Sequence, residues 1–511
     1  QPDPTLLAGH KVITLDGREE APAATTPDLF RNPESAAGEP LPFWPNRMSS
    51  GLAVGVPGTP LNWATAVARY GTKPLGELLQ PAIALAEKGF TVDETLAGQI
   101  QQNQARFAAF SSTRSLYLPN GTIPAVGSRL QNPGLAKTYR ILADRGVNAF
   151  YRGEISEAIA RTVQQPPTVS NPSFKVWPGI MTPADLDRYE VRIRPAIEST
   201  YRGTRFYGMG LPSSGGITVA QTLKLLEGYP LADMQPEAVL HLLIEAERLA
   251  FADRNGYMGD PEYVDVPVAG LLSEQYISDR RTDLPEAVPA NEADYRAIAG
   301  NPLPYQQDPS PSLTTAATGS LLTDTEGLST THLTVADKDG MVVSYTLTIE
   351  STGGSGIVVP GYGFILNNEL TDFDSQNPHP NVPEPGKRPR SSMAPTIAVA
   401  TDDSVFAFGS PGGSTIITTV LNLTVNAIDF GMDLKEVIAA PRISQRNGGI
   451  TQVDQGFEQS ALGQALTAYG HQLSPVDELG AATGIFITPS GQMSAVAEPR
   501  RRGGGSAMTV E

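Results

Sequence analysis

Apolar residues recur at steps of three and four through much of the first half of the chain, which is the spacing of an amphipathic helix. This spacing predicts helices over residues 75–87, ended by Gly89, over residues 154–163 and over residues 236–254. Between residues 301 and 329 the composition shifts to Pro, Ser, Thr and Gly with few large apolar side chains. Such a composition is typical of a linker, so we expect the mostly helical first half to end in a flexible segment.

The pattern changes to alternation of polar and apolar residues after residue 330. Residues 331–336 and 341–348 are predicted to be strands, and the run Asp337-Lys338-Asp339-Gly340 between them is a strong hairpin signal. Further strands are predicted over residues 396–400 and 405–408, followed by a helix over residues 415–430. The second half is therefore predicted to combine sheet with a packed helix.

The composition is that of a folded protein with an acidic surface. The chain has 511 residues, of which 40% are hydrophobic, so it can bury a large core; at about 150 residues per domain it has room for three or four domains. Its net charge of −17 argues against nucleic acid and anionic membranes as partners, because these bind basic surfaces. The sequence contains neither an apolar run near the roughly 18 residues that span a bilayer nor a signal peptide at Gln1.

Several kinds of catalytic site are excluded. The absence of cysteine rules out thiol nucleophiles, disulfides and thiolate metal sites. No GxSxG, P-loop or GxGxxG motif occurs. Residues 500–502, three arginines beside three glycines, are expected to form a surface turn. No metal site is expected, because the five histidines are far apart in the sequence and form no pair at ligand spacing: His10, His241, His332, His379 and His471.

Thr330 stands at the head of the predicted hairpin. Counting from the turn places its partner near residues 347–349, so Thr348 is a candidate cross-strand neighbour. A threonine hydroxyl is a weak nucleophile unless a base lies beside it. The α-amine of Thr330 itself can be that base if the peptide bond after Ser329 is cut. Local sequence alone leaves open whether Thr330 is catalytic or an ordinary strand residue.

A set of segments along the chain resembles one enzyme family. Residues 330–340, TTHLTVADKDG, resemble the start of the small subunit of gamma-glutamyltranspeptidases. Other segments resemble family motifs in the same order: REEAPA (18–23), PSSGG (212–216), DR and GDP (253–254 and 259–261), GFILNNELTDF (363–373), RPRSSMAPT (388–396) and GSPGGS (409–414). The chain is identified by this resemblance as a member of that family.

The resemblance implies an α+β fold, a four-layer αββα sandwich of the N-terminal-nucleophile hydrolase type. It implies a large subunit of residues 1–329, mostly helical, and a small subunit of residues 330–511 that begins at the nucleophile. Thr330 would first attack the carbonyl of Ser329, and hydrolysis of the resulting ester would free the Thr330 amine. Family members normally have several tens of residues ahead of the Arg18 motif, including a helix and a Gly-rich strand, whereas this sequence begins just before it.

The same resemblance assigns catalytic roles. Thr330 is implied to be the nucleophile, with its own amine as general base, and Thr348 to hydrogen-bond the nucleophilic hydroxyl. The backbone amides of Gly412 and Gly413 resemble the oxyanion hole, a role that suits glycines because no Cβ obstructs the two converging N–H groups. No metal or organic cofactor is implied.

The resemblance also assigns residues to the far end of a gamma-glutamyl donor. Arg18 is implied to bind its α-carboxylate, for which a planar fork is suited. The hydroxyls of Ser391 and Ser392 are implied to donate to that carboxylate too. The carboxylates of Glu369 and Asp372 are implied to hold the α-ammonium.

Glu350 departs from the family pattern, which usually has Asn at this position, also among the ammonium contacts. With Glu369 and Asp372 it would bring three carboxylates to one cation. Three explanations are open: one carboxyl is protonated because its like-charged neighbours raise its pKa, Glu350 points elsewhere, or the substrate is not a simple gamma-glutamyl amide.

The implied function is cleavage of gamma-glutamyl amides such as glutathione through a gamma-glutamyl–threonine ester. The acyl group would then pass to water or to an amino acid or dipeptide acceptor. Alternatives with the same fold are a cephalosporin-type acylase, a poly-gamma-glutamate depolymerase and an enzyme of secondary metabolism; a further alternative is an unprocessed homologue that only binds gamma-glutamyl compounds. The family implies a periplasmic or secreted location.

Overall fold

The computed structural model describes residues 12–287, 294–306 and 329–510. They form two compact units. The first contains residues 1–195, 348–377 and 381–389, and the second contains residues 196–347, 378–380 and 390–511. These units do not follow the expected division at residues 329 and 330, which stays a prediction.

The first unit is mostly helical. Its strands form two small antiparallel pairs, β1 with β4 and β2 with β3: β1 Ile13–Asp16, β2 Phe90–Thr91, β3 Arg129–Leu130 and β4 Arg192–Pro195. Its helices are α1 Thr59–Tyr70, α2 Leu75–Leu78, α3 Gln80–Lys88, α4 Glu94–Gln102, α5 Gln104–Ala108, α6 Ser111–Tyr117, α7 Pro133–Arg145, α8 Asn148–Tyr151, α9 Glu154–Gln164 and α10 Pro183–Arg188.

Local sequence explains where several of these helices begin and end. The side chains of Asp93 and Asn132 accept hydrogen bonds from backbone N–H groups in the first turns of α4 and α7. Gly89 ends α3 with a positive φ of 78°, as predicted. The predicted helix over residues 75–87 is instead two helices, because Pro81 in the first turn of α3 has no N–H to continue the helix before it.

The second unit is built on a six-stranded antiparallel sheet. The strands of this unit are β5 Ile197–Tyr201, β6 Thr204–Gly208, β7 Thr330–Ala336, β8 Val342–Thr348, β9 Thr396–Val399, β10 Val405–Gly409, β11 Ile443–Ser444, β12 Ile450–Asp454, β13 Gln472–Val476, β14 Thr483–Ile487 and β15 Met493–Ala497. Among the described residues the sheet order is β15-β14-β10-β9-β6-β5, with β7-β8 as a separate hairpin and β11-β12-β13 as a small third sheet.

Helices cover one face of the six-stranded sheet and the hairpin covers the other. The helices of this unit are α11 Gly215–Leu226, α12 Pro236–Tyr257, α13 Val268–Leu271, α14 Glu274–Arg281, α15 Thr415–Ile428, α16 Leu434–Ala439 and α17 Ala461–Ala468. Phe406 and Phe408 of β10 pack in the core with residues of α11 and α15. Gly409, on the opposite face of β10, lies against the ring of His332 from β7. Helix, sheet and hairpin thus stack as layers.

Most of the predicted elements are confirmed. The hairpin, strands β9 and β10, and helices α9, α12 and α15 lie within a few residues of their expected bounds. The helical spacing did not predict β5 and β6, which the first half contributes to the six-stranded sheet. Most of the expected linker, residues 307–328, lies outside the described residues. No helix in the part of the chain that the structure describes has the length and apolar character needed to cross a membrane.

Candidate active site

Thr330 is the first residue of β7 and is buried, with 8% of its surface exposed. The hairpin register is fixed at the turn, where Asp337 N donates to Met341 O at 3.0 Å, and further along by His332 Nδ1 and Thr346 Oγ1, which are 2.8 Å apart. Thr330 and His332 lie on the same face of β7 because they are two residues apart. The carbonyl oxygen of Thr330 accepts a hydrogen bond from Arg502 Nη1 at 2.8 Å.

His332 connects β7, the strand of Thr330, to β10, the strand that precedes the glycine loop of residues 410–413. Its ring nitrogens bond to the hydroxyls of Thr346 and, at 3.1 Å, Thr334. Burial lowers the pKa of His332 to about 3, so the ring is neutral. A Cβ added to Gly409 would come within 2.4 Å of this ring. Only glycine therefore lets the ring approach β10, at the point where that strand leads into residues 410–413.

The glycine loop, residues 410–413, ends with two buried glycines. Gly412 and Gly413 have φ angles of +136° and +57°, a conformation suited to glycine. Their carbonyls are engaged, by Thr415 N and Oγ1 at Gly412 and by Ile416 N at Gly413. Within the described residues neither glycine N–H donates to a protein acceptor. Both amides precede the N-terminus of α15, where the helix dipole favours negative charge.

Ser391 and Ser392 lie in a buried network of the second unit. Ser392 Oγ accepts from Arg254 Nη2 at 2.5 Å, and Ser391 Oγ accepts from Met393 N at 3.1 Å. The Ser391 carbonyl accepts from both N and Oγ of Ser214, at 2.8 and 2.7 Å. Arg254 also donates to Ser214 Oγ, at 2.8 Å. The segments around residues 213 and 391, predicted separately from sequence, are thereby brought together; the substrate role of the two hydroxyls stays a prediction.

Arg18 forms a buried ionic cluster with Glu369 and Asp372 in the first unit. Its Nη1 donates to Glu369 Oε1, its Nη2 to Asp372 Oδ2 at 2.5 Å, and its Nε to the carbonyl of Pro389 at 3.1 Å. Burial alone would lower the pKa of Arg18, but the two carboxylates outweigh it and raise that pKa above its ordinary value. The residues expected to bind the two charged groups of a donor therefore pair with one another.

Glu350 is buried and points to neutral donors. Its carboxylate accepts from Asn368 Nδ2 and Ser351 Oγ, and its backbone N–H donates to Thr348 Oγ1 at 2.9 Å. Its φ of +73° is unusual for a residue with a Cβ. Of the three explanations for this departure, the geometry favours the one in which the carboxylate points elsewhere, toward Asn368 and Ser351.

Arg106 supports the loop that follows Glu350, and sequence patterns gave no sign of it. Its guanidinium donates to the side chains of Ser49 (2.7 Å) and Asn103 (2.6 Å) and to the backbone carbonyls of residues 352 and 354. Burial lowers the pKa of Arg106 to about 10, opposed by the negative charge of Glu350. A buried cation thus fixes this loop and balances the carboxylate at its start.

The C-terminal arginines were expected to form a surface turn, and that expectation is only partly correct. Residues 501–503 do form a short turn. Arg501, however, pairs with Asp454 and Glu498, and Arg502 pairs with Glu478 as well as contacting Thr330. Glu498 is a local partner, three residues before Arg501, but only tertiary packing brings Asp454 and Glu478 to the tail, so the local sequence carried no signal for those two.

Two of the dispersed histidines meet in the core of the second unit. His241 Nδ1 and His471 Nε2 are 2.8 Å apart, and His241 Nε2 bonds the carbonyl of Pro285 at 2.8 Å. Glu245 Oε1 lies 3.8 Å from His471 Nδ1, and the Glu245 carboxylate accepts hydrogen bonds from Arg248 Nε. Burial, with the charge of Arg248 among the lesser causes, lowers the pKa of His471 to about 3. The two histidines thus form a hydrogen-bonded pair beside Glu245, whose carboxylate is ion-paired with Arg248.

Comparison with known proteins supports one family throughout. A family profile described as Gamma-glutamyltranspeptidase matches residues 6–508. The chain is 38% identical over 494 residues to the glutathione hydrolase proenzyme of Bacillus subtilis strain 168, covering 96% of this chain and 80% of that protein. It is 34% identical over 499 residues to the acylase ACY 1 proenzyme of Pseudomonas sp. strain V22, covering 96% of this chain and 82% of that protein.

A solved structure supports the same assignment. The cephalosporin acylase of Bacillus halodurans superposes with a TM-score of 0.82 at 26% identity, covering 98% of this chain and 85% of that one. The resemblance found in the motifs, the α+β fold and the expected enzyme class are confirmed by these comparisons. The chain belongs to the gamma-glutamyltranspeptidase family.

Proposed function

We propose that this protein is a self-processing gamma-glutamyl hydrolase and transpeptidase that acts on gamma-glutamyl amides such as glutathione. The observation that carries the proposal is that one unit contains both a buried, strand-opening Thr330 and two glycine amides that have no acceptor among the described residues. The relative from Bacillus subtilis, a glutathione hydrolase proenzyme, supports the choice of substrate. We propose a periplasmic or secreted location on the family resemblance alone.

Processing separates residues 1–329 from residues 330–511. Thr330 Oγ1 attacks the carbonyl carbon of Ser329, and the peptide nitrogen leaves as the Thr330 amine. Water then hydrolyses the ester, which leaves a carboxylate on Ser329 and a free hydroxyl on Thr330. The term proenzyme in the names of the relatives supports a precursor of this kind.

In the processed enzyme the Thr330 amine takes the hydroxyl proton as the oxygen attacks the donor's γ-carbonyl carbon. The amides of Gly412 and Gly413 stabilise the oxyanion, and loss of one such donor costs about 3–4 kcal/mol of transition-state stabilisation. The Thr330 ammonium then protonates the leaving amine. Water or an acceptor amine next attacks the ester carbonyl and releases the gamma-glutamyl group from Thr330. We include Thr348 as a hydrogen-bond partner of the nucleophile. His332 of β7 contacts Thr346 of β8 across the hairpin. Thr330 and Thr348 each lie two residues further from the turn on these strands, so in the same register they lie opposite each other.

The donor's amino-acid end is recognised by charge. Arg18 binds the α-carboxylate, assisted by the hydroxyls of Ser391 and Ser392, and the carboxylates of Glu369 and Asp372 bind the α-ammonium. The Arg18 cluster supports this assignment because it already presents both signs of charge at a buried position. We include Glu350 in the site because its backbone N–H donates to Thr348 Oγ1. Its carboxylate accepts hydrogen bonds from the neutral side chains of Ser351 and Asn368.

A same-fold acylase is the second candidate function. It is favoured by the acylase ACY 1 relative and by the likeness to a cephalosporin acylase structure. An acylase of this kind need not require an α-ammonium on the acyl group. The two candidates therefore differ in how they treat a donor that lacks this group.

Release of a chromogenic anilide tests both candidates. We expect the processed protein to hydrolyse a gamma-glutamyl anilide, to turn over faster with a dipeptide acceptor, and to act at least about 100-fold more slowly on the glutaryl anilide, which lacks only the α-amine. Equal rates on the two anilides would favour the acylase. Intact mass spectrometry comes first, because a chain still joined at Ser329 and Thr330 would be the unprocessed binding homologue.

A further inference from the structure

A turn in the C-terminal tail places Arg502 beside β7, the strand that begins at Thr330. Arg502 has a φ of +56°, and the next residues, Gly503 and Gly504, have φ angles of +72° and +85°. Gly505 N donates to the carbonyl of Glu498 at 2.7 Å, which closes the turn. Arg501 anchors the turn from the other side by its ion pairs with Asp454 and Glu498.

The guanidinium of Arg502 joins a carboxylate to the backbone of Thr330. Its Nη1 donates to the Thr330 carbonyl at 2.8 Å, while its Nε donates to Glu478 Oε1 at 2.7 Å. The backbone nitrogen of any residue lies within about 4 Å of its own carbonyl oxygen. The donating nitrogen of Arg502 therefore lies within about 7 Å of the nitrogen of Thr330, the atom that cleavage converts to an amine.

The other titratable groups around β7 in this unit are few. Within the described residues, β10 and β14 carry none, β8 carries Tyr345, and β7 itself carries His332, which burial keeps neutral. The loop before β14 carries Asp477, which is exposed, and Glu478. Arg502 therefore bonds both the Thr330 backbone and the carboxylate of Glu478, and the two charged side chains form an ion pair.

We propose that Arg502 and Glu478 set the proton affinity of the Thr330 amine in the processed enzyme. The inference rests on the proposed function, in which this amine must be unprotonated to act as the base. An α-amine has an ordinary pKa near 8, and a neighbouring positive charge lowers it. Arg502 thus increases the fraction of enzyme in the basic form at neutral pH, Glu478 moderates that effect, and the hydrogen bond to the carbonyl orients Thr330.

The test is the pH dependence of kcat/KM in variants that change the two charges in opposite senses. Arg502→Gln removes the cation and should move the acid limb upward by at least about 0.4 pH unit, the effect of a unit charge about 7 Å away in bulk water, because a buried site screens the charge less. Glu478→Gln leaves the cation unopposed and should move the same limb downward by a similar amount. Arg502→Lys keeps the charge, so the limb should stay in place while kcat falls because the fork is lost.

Arg500→Gln is the matched control, since Arg500 is an exposed arginine of the same tail. Its acid limb should coincide with that of the unaltered protein. Shifts of opposite sign in Arg502→Gln and Glu478→Gln support the proposal, whereas unmoved limbs or shifts of the same sign overturn it. Should Arg502→Gln fail to cleave itself, the limb of Glu478→Gln decides alone. A parent protein that does not process, or that processes without turnover, contradicts the proposed function instead.

Discussion

Replacing Gly409 by alanine tests how β7, the strand that begins at Thr330, is held against the sheet. The added Cβ would lie 2.4 Å from His332 Cε1 and 2.7 Å from its Nδ1, so the ring or the strand must move. The ring is bonded to hydroxyls at 2.8 and 3.1 Å, and displacement breaks one or both bonds. Overpacking costs about 1–3 kcal/mol and each lost hydrogen bond about 1 kcal/mol. We expect the free energy of unfolding to fall by about 2–4 kcal/mol, and kcat to fall with it.

The double variant His332→Ala/Gly409→Ala makes this prediction specific to one contact. His332→Ala alone leaves a cavity and costs about 2–4 kcal/mol. In the double variant the new methyl group enters the space that the ring left, so the two losses should overlap by about 1–3 kcal/mol. Urea unfolding of the four proteins measures this coupling.

A matched glycine provides the control for the alanine substitution. A Cβ at Gly98 in α4 meets nothing within 4 Å, so Gly98→Ala should be neutral or stabilising by up to about 1 kcal/mol. The contact between ring and glycine is refuted if the losses of the two single variants add to within about 0.5 kcal/mol in the double variant.

Three other variants test separate parts of the molecule. Thr330→Ala should abolish both self-cleavage and anilide hydrolysis, and efficient cleavage by this variant, seen by intact mass, would remove Thr330 from the mechanism. Burial outweighs the charge of Arg18 and raises the pKa of Glu19 to about 7, so the stability tied to its protonated form is complete below pH 4.5 and lost as pH rises through 7. Relative to the unaltered protein, Glu19→Gln should therefore gain up to about 3 kcal/mol in unfolding free energy between pH 4.5 and 8, and a constant difference in urea unfolding would contradict this. Arg106→Lys should raise the donor KM about tenfold while cleavage persists, because lysine cannot bond four acceptors at once; an unchanged KM would exclude a positioning role.

The fold was predictable where its cause is local. The Asp-Gly turn specifies the β7-β8 hairpin, and the apolar spacing specifies α12, Pro236–Tyr257. Strand β6 was missed because it is stabilised by β9, whose Ala398 pairs with Phe206 across a long stretch of sequence. A local pattern cannot reveal such a partner, since non-local pairing decides whether a short segment becomes a strand.

The candidate site divides in the same way. Thr330 and the glycine pair stand in motifs that can be found by inspection of the chain. Arg106 and Arg502 stand in no such motif, and each acts by donating to backbone carbonyls far away in sequence; Arg502 and Thr330 are 172 positions apart. Any carbonyl can accept from an arginine, so only the three-dimensional structure identifies which one does.

The Arg18 cluster gives a physical reason for a donor with both a carboxylate and an ammonium. One guanidinium faces two carboxylates at a site with almost no solvent exposure, so among these three residues the carboxylates outnumber the cation by one. A donor that brought only a carboxylate would compete with Glu369 and Asp372 for Arg18 and leave one of them buried without its cation, which costs about 3–5 kcal/mol. A donor that also carries an ammonium supplies a new cation for Glu369 and Asp372 while its carboxylate pairs with Arg18. Every charged group then keeps a partner of opposite charge. In the proposed function, the charge balance of these three residues is therefore the feature that favours a gamma-glutamyl donor over an acyl donor without an ammonium.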